Sequence, residues 1–295
     1  MRILVAVASG FIGSELHRLL TADGHEVLRL VRGEPRSGDE RHWSPSTGEL
    51  DLSLVDSADA IISLSGAGLE RLPWTESYKR ELRDSRIDTT ATIARAIAAS
   101  SRPPEVYLAA SAVGIYGDRP GETLTESSAR GEGFLADLVD EWETSANAAP
   151  TRVVTFRTGL VVGRGGAFGI LEPLTKFGLG ANLGSGRQRW PWISLHDEAA
   201  AIRHLVTSEL SGPVNLAGPT PATADAVTKR LALALHRPRI FGIPRFAIEA
   251  GLRTPGRELL LADQRVVPER LLADGFRFAH ETVEDAIRAT WPGRA

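Results

Sequence analysis

This 295-residue sequence predicts a doubly wound α/β fold, a parallel sheet covered by helices on both faces, followed by a smaller, mostly helical C-terminal region on the substrate side. Three observations predict it. The chain opens on the apolar run Ile3-Leu4-Val5-Ala6-Val7-Ala8, which breaks into a glycine turn and then a helical pattern. Strand and helix signals alternate through the first two thirds. Beyond Pro221 the pattern is mostly helical and is divided into short segments by Pro238, Pro244, Pro255 and Pro268. A strand, a glycine turn and a helix, continued by such alternation, make the Rossmann arrangement.

Each element has its own signal. A helix from Gly10 to Asp23 carries Phe11, Ile12, Leu16, Leu19 and Leu20 on its inner side, and Gly24 stands where a terminating glycine belongs. His25 to Val31 reads as the second strand and Ala60 to Leu64 as the third. A long helix runs from Thr75, its N-cap candidate, to Ala99. Glu105 to Ala110 and Arg152 to Thr158 are further strands, separated by a helix from about Gly133 to Ala148. A Rossmann core therefore occupies residues 1–163, substrate-side loops with returning Rossmann elements 164–240, and a helical region 241–295. The glycine-dense stretch from Gly178 to Gly186 reads as an irregular loop over the site.

Composition removes several classes of function. A net charge of −3 gives no electrostatic case for nucleic acid or anionic membranes. With no cysteine there is no disulfide, thiolate nucleophile or zinc–thiolate site. Ala6-Val7-Ala8 mimics a signal-peptide cleavage site, but the apolar run before it is shorter than the ~7–15 residues a leader needs. No run approaches the ~18 apolar residues of a membrane span, so a cytoplasmic protein is expected.

The chemistry-bearing residues fall at strand ends. Ser9-Gly10-Phe11-Ile12-Gly13 offers helix N–H groups to a pyrophosphate, although Val7 stands where GxxGxxG asks for its first glycine. Either the turn is reshaped or binding is weakened, because a β-branched residue resists positive φ. Arg32, backed by Arg29 and Arg36, closes the second strand, where a cation selects the 2′-phosphate of NADP. Glu34 is the rival ribose ligand and would favour NAD. Leu64-Ser65-Gly66 lets backbone run close to a ribose or nicotinamide, unless it is an ordinary loop. Ser111 and Tyr116 then place a hydroxyl and a phenol beside the expected nicotinamide. Against this stand a backbone-bonded serine and a tyrosine that is a pocket wall. Glu126, Lys79 and Arg86 are further polar candidates. Trp74, Trp190 and Trp192 can stack on a flat ligand or simply pack, and Arg187 and Arg189 can clamp an anion or remain solvated. His196-Asp197 reads as a helix start.

Gly10-Phe11-Ile12-Gly13 and Ser111…Tyr116-Gly117 resemble the extended short-chain dehydrogenase/reductases. Trp74…Lys79, Asp84-Ser85-Arg86-Ile87, Gly184-Ser185-Gly186-Arg187-Gln188, Trp192-Ile193, Arg237-Pro238, Val267-Pro268 and Gly275-Phe276 narrow the resemblance. The chain is similar to their atypical "epimerase family" group, which ends in a short helical domain of unknown role. The resemblance implies NADP(H) bound by the residues above together with Arg71 and Leu160, and chemistry at Ser111 and Tyr116 on a small-molecule substrate. It does not bring the usual Tyr-x-x-x-Lys pair: Leu82, Ser111 and Pro120 stand four residues after the three tyrosines. Two functions follow as expectations, an atypical NADP(H)-dependent oxidoreductase for a small carbonyl or sugar-like substrate, or a non-catalytic NADP(H) or metabolite sensor.

Overall fold

Alternation of Ile3 and Val5 with Leu4 and Ala6 along the first strand gives the sheet two apolar faces. One face packs on the helices Phe11–Ala22 and Leu195–Thr207 through Leu16, Leu20, Ile202 and Leu205. The other buries Ile93 and Ile97 of the helix Glu76–Ala99 and Ala146 of the helix Phe134–Ala146. Each such leucine or isoleucine, fully removed from water, contributes roughly 1.5–3 kcal/mol. The structure, a computed structural model, describes residues 1–292, so the C-terminal region is seen without its last three residues.

Seven parallel strands form the central sheet. Their order is Gly212–Leu216, Arg152–Thr158, Val106–Ala112, Ala60–Ser63, Arg2–Ala6, Glu26–Val31 and Glu40–His42. The winding reverses beside Arg2–Ala6, whose Ala6 lies opposite both Leu30 and Ser63. That reversal opens the crevice in which open α/β sheets take ligands, at the carboxyl ends of the strands.

One expectation changes, and the alternatives left open for the tryptophans resolve. Ala181–Leu183, inside the glycine-dense stretch expected to be irregular, is a strand paired in parallel with Phe241–Ile243. Trp74, Trp190 and Trp192 are buried, and their ring N–H groups donate to the carbonyls of Leu69, Leu260 and Thr220. They are packing residues rather than stacking platforms. His196-Asp197 does lie in a helix start: the Ser194 hydroxyl accepts the Asp197 N–H at 2.9 Å, and the Asp197 carboxylate accepts the N–H groups of Ala279 and His280.

Val7 keeps the turn by adopting the left-handed conformation itself, at φ 64°. The turn is not reshaped. Left-handed backbone costs an L residue roughly 1–2 kcal/mol, whereas glycine bears no such strain and loses only about 0.5–1 kcal/mol in unfolded-state entropy. Val7→Gly is therefore expected to raise stability by up to about 1 kcal/mol. Urea unfolding of the two proteins checks this, and a lower midpoint for the glycine variant would show that the valine is unstrained.

Candidate active site

The phosphate turn follows from how Gly13 packs. A side chain there would begin 2.6 Å from the Val7 carbonyl oxygen and 2.7 Å from that of Ala8, so only glycine lets the helix start against the strand end. The helix Phe11–Ala22 has neither a side-chain cap nor an acidic residue in its first turn. By contrast Thr75, Ser194, Thr223 and Thr282 each cap their helices with a hydroxyl. The first N–H groups of the Phe11 helix and its positive dipole end thus remain available to an anion. Ser9 is exposed in this turn, and Phe11 and Ile12 are half-buried.

Arg32 is exposed, one residue beyond the second strand, and is in no salt bridge among the described residues. Its expected support is smaller than the sequence suggests. Arg29 is taken by Asp39, at 2.5 Å, and by Glu40, at 3.3 Å, which leaves it no free charge to offer. The Arg29 guanidinium and the Ser37 hydroxyl hold the Asp39 carboxyl well below its ordinary range.

After the strand Ala60–Ser63, Ser65 is buried with its hydroxyl 3.3 Å from that of Ser63. Gly66 lies against the Arg86 guanidinium, 3.0 Å from where a side chain would begin. Arg86 is itself buried. It donates to the carbonyls of Leu82 and Ala67 at 2.9 and 3.1 Å and lies over the Trp142 ring, with no carboxylate in salt-bridge range among the described residues. Burial lowers its pKa to about 10, so it remains a cation at neutral pH. Leu64 is half-buried beside this loop. Leu160 begins the short strand after Gly159, opposite Trp192. Arg71 lies farther along the loop, exposed, over the Tyr78 ring and 3.6 Å from Glu81.

Ser111 ends the strand Val106–Ala112 next to Arg157 of the neighbouring strand. Its hydroxyl donates to Glu143 on the helix Phe134–Ala146. Arg157 grips that carboxylate with two bonds, Nε at 2.8 Å and Nη2 at 2.9 Å, and its Nη1 donates to the Tyr116 oxygen at 2.9 Å. The Tyr116 hydroxyl in turn donates to Asn215 at 2.7 Å, and the Asn215 amide donates to the Val267 carbonyl at 3.0 Å. Tyr116 is fully buried, and burial raises its pKa. Its one proton is thereby engaged by Asn215. Glu126, another candidate, is buried and accepts the backbone N–H groups of Asn215 and Arg270. Lys79 is paired with Glu76, and Arg189 with Asp263.

Beyond Tyr116 a cavity of about 230 Å³ separates the Rossmann side, at Gly114, Gly117 and Leu135, from Arg245, Arg257 and Gln264 of the C-terminal region. Glu258 reaches across to accept the N–H groups of Phe134 and Leu135 at 3.1 and 2.8 Å, capping a helix that its own Gly133 leaves uncapped.

The NAD dependent epimerase/dehydratase family model matches residues 3–217. The chain belongs to that family. A second model, a domain of unknown function termed DUF1731, matches residues 243–290. An epimerase family protein of Mycobacterium leprae is 40% identical over 97% of this chain and 94% of its own length. Human epimerase family protein SDR39U1 is 34% identical over 98% and 99%. The crystal structure of human SDR39U1 with NADPH superposes with a TM-score of 0.89, at 30% identity, covering 98% of this chain and 99% of that one. A Thermus thermophilus UDP-glucose 4-epimerase in complex with NAD shares the fold, with a TM-score of 0.75 at 20% identity.

In this epimerase/dehydratase family member the Ser9–Gly13 turn, Arg32, Leu64-Ser65-Gly66, Ser111 and Leu160 all lie at or beside strand ends, and Arg86 packs on the loop at Gly66. Sequence reasoning missed Glu143, Arg157 and Asn215. Arg157 had a readable signal, a charge in the apolar run Val153-Val154-Thr155-Phe156, because a charged residue in a central strand needs a partner. Among the described residues no group of acidic or histidine side chains could hold a metal ion, and no helix is long and apolar enough to cross a membrane.

Proposed function

We propose that this protein is an NADP(H)-dependent oxidoreductase of the atypical short-chain type, acting on a small carbonyl, hydroxyl or sugar-like compound. The carrying observation is the Arg32 guanidinium just past the end of the second strand, in no salt bridge among the described residues, together with a helix N-terminus after the first strand that has no side-chain cap and no acidic residue in its first turn. These groups fit a dinucleotide with a 2′-phosphate: the Phe11 helix would hold the pyrophosphate, Arg32 the 2′-phosphate, and the backbone at Ser65-Gly66 and Leu160 the nicotinamide half. The human relative crystallised with NADPH supports this reading. Bound NADP(H) would supply hydride transfer. The chain would orient the reacting molecule at Ser111 and enclose it with the C-terminal region.

Arg32→Ala is expected to weaken NADPH binding by roughly 10- to 100-fold, the loss of one charge-assisted contact of about 1.5–3 kcal/mol, and to leave NADH binding nearly unchanged. Calorimetric titration of both cofactors checks this; equal losses would reject the assignment. The sealed Tyr116 phenol favours a second reading, a sensor that binds NADP(H) without turnover. An NADPH-consumption screen over aldehydes, ketones and quinones separates the two, because the sensor predicts none.

A further inference from the structure

Serine is ordinarily ambivalent in recognition, since one rotating hydroxyl can donate or accept. At Ser111 that freedom is removed. An ionised carboxylate only accepts, and both Glu143 oxygens are held by Arg157, so the Ser111 proton must lie on the Ser111–Glu143 line. The pair is secluded, with the Glu143 and Arg157 side chains 12% and 8% exposed. The other Arg157 bonds, to Tyr116 and through it to Asn215, hold the guanidinium in place from the far side. What the serine has left for a ligand is lone pairs alone.

We propose that Glu143 is a positioning residue which locks Ser111 as a hydrogen-bond acceptor, so that this site selects a ligand presenting a hydroxyl over one presenting a carbonyl. The inference rests on the reading above, in which Ser111 faces the reacting molecule. A carbonyl oxygen meeting Ser111 would set two acceptors against each other, and leaving a buried acceptor unpartnered is expected to cost such a ligand roughly tenfold in affinity.

The test uses the NADPH-saturated full chain with 13C-labelled serine, the Ser111 signal being assigned by its loss in Ser111→Ala. Titration with 2-propanol and with acetone, two probes of one carbon skeleton, is followed at the Ser111 Cβ resonance. The expected result is a response to 2-propanol at about one tenth of the acetone concentration. The double variant Glu143→Leu/Arg157→Met takes away the acceptor together with its paired cation, which frees the Ser111 hydroxyl to donate outward. That variant is expected to reverse the preference. A second readout needs no probe: the Ser111 hydroxyl proton should exchange slowly in the wild type and rapidly in Glu143→Leu/Arg157→Met. Equal or stronger response to acetone in the wild type, no response to either probe, or a rapidly exchanging Ser111 hydroxyl would overturn the proposal. Failure to saturate with NADPH would instead overturn the cofactor reading, and the exchange measurement would still decide whether Glu143 locks the serine.

Discussion

Unfolding experiments across pH are expected to show Glu198→Gln gaining on the wild type as pH rises, until it is the more stable protein by several kcal/mol above pH 8. Glu198 is wholly buried in the first turn of the helix Leu195–Thr207. One carboxyl oxygen accepts the Thr158 hydroxyl at 2.7 Å and the other has no hydrogen-bond partner. Burial without a compensating cation pushes its pKa up to about 8, from an ordinary value of 4.5. The folded protein therefore binds this proton more tightly than the unfolded chain. The associated stability is complete below pH 4.5 and is lost as pH climbs toward 8, at about 1.4 kcal/mol per unit and on the order of 5 kcal/mol in all. The amide of Glu198→Gln never ionises, so the difference between the two proteins isolates this one group from every other titration. Parallel stability profiles would show that Glu198 is already ionised in the folded state.

The second large effect is expected at Arg157. Arg157→Met removes both bonds to Glu143 and the bond to Tyr116, leaving a carboxylate buried against the Ser111 hydroxyl alone. Breaking a buried pair from one side typically costs about 3–5 kcal/mol, whereas replacing both partners with apolar residues of similar volume is close to neutral. Arg157→Met should thus lower stability by about 3–5 kcal/mol, and adding Glu143→Leu should restore most of it. Urea unfolding of the two singles and the double gives the coupling directly; additive losses would mean that Arg157 and Glu143 stabilise the fold independently.

What could be read in the sequence was what is local. The opening strand, glycine turn and helix announce themselves within about twenty residues, because apolar periodicity and turn chemistry are properties of neighbours. The Ser9–Gly13 turn and Arg32 could be placed at strand ends on that ground alone. The fate of Tyr116 could not. Its proton goes to Asn215, 99 residues away, and nothing near Tyr116 marks it as sealed rather than reactive. Glu143 and Ser111 are 32 residues apart and meet only because a helix crosses the strand Val106–Ala112. The strand Ala181–Leu183 was hidden for the same reason: three residues between glycines have little strand preference of their own, and their partner Phe241–Ile243 comes some sixty residues later.

The bonds that Glu258 accepts from the Phe134 helix and the Val267 carbonyl accepts from Asn215 also have a consequence for synthesis. Translation proceeds at about 5–20 residues per second, and single domains fold in order of emergence. The sheet is complete once Leu216 has left the ribosome, yet the Phe134 helix still lacks its cap and the Asn215 amide its acceptor until roughly fifty further residues follow. For some seconds a nascent chain carries a finished scaffold with an unfinished site. A nascent chain held with Leu216 just clear of the exit tunnel would therefore display the crevice floor of this protein without its far wall.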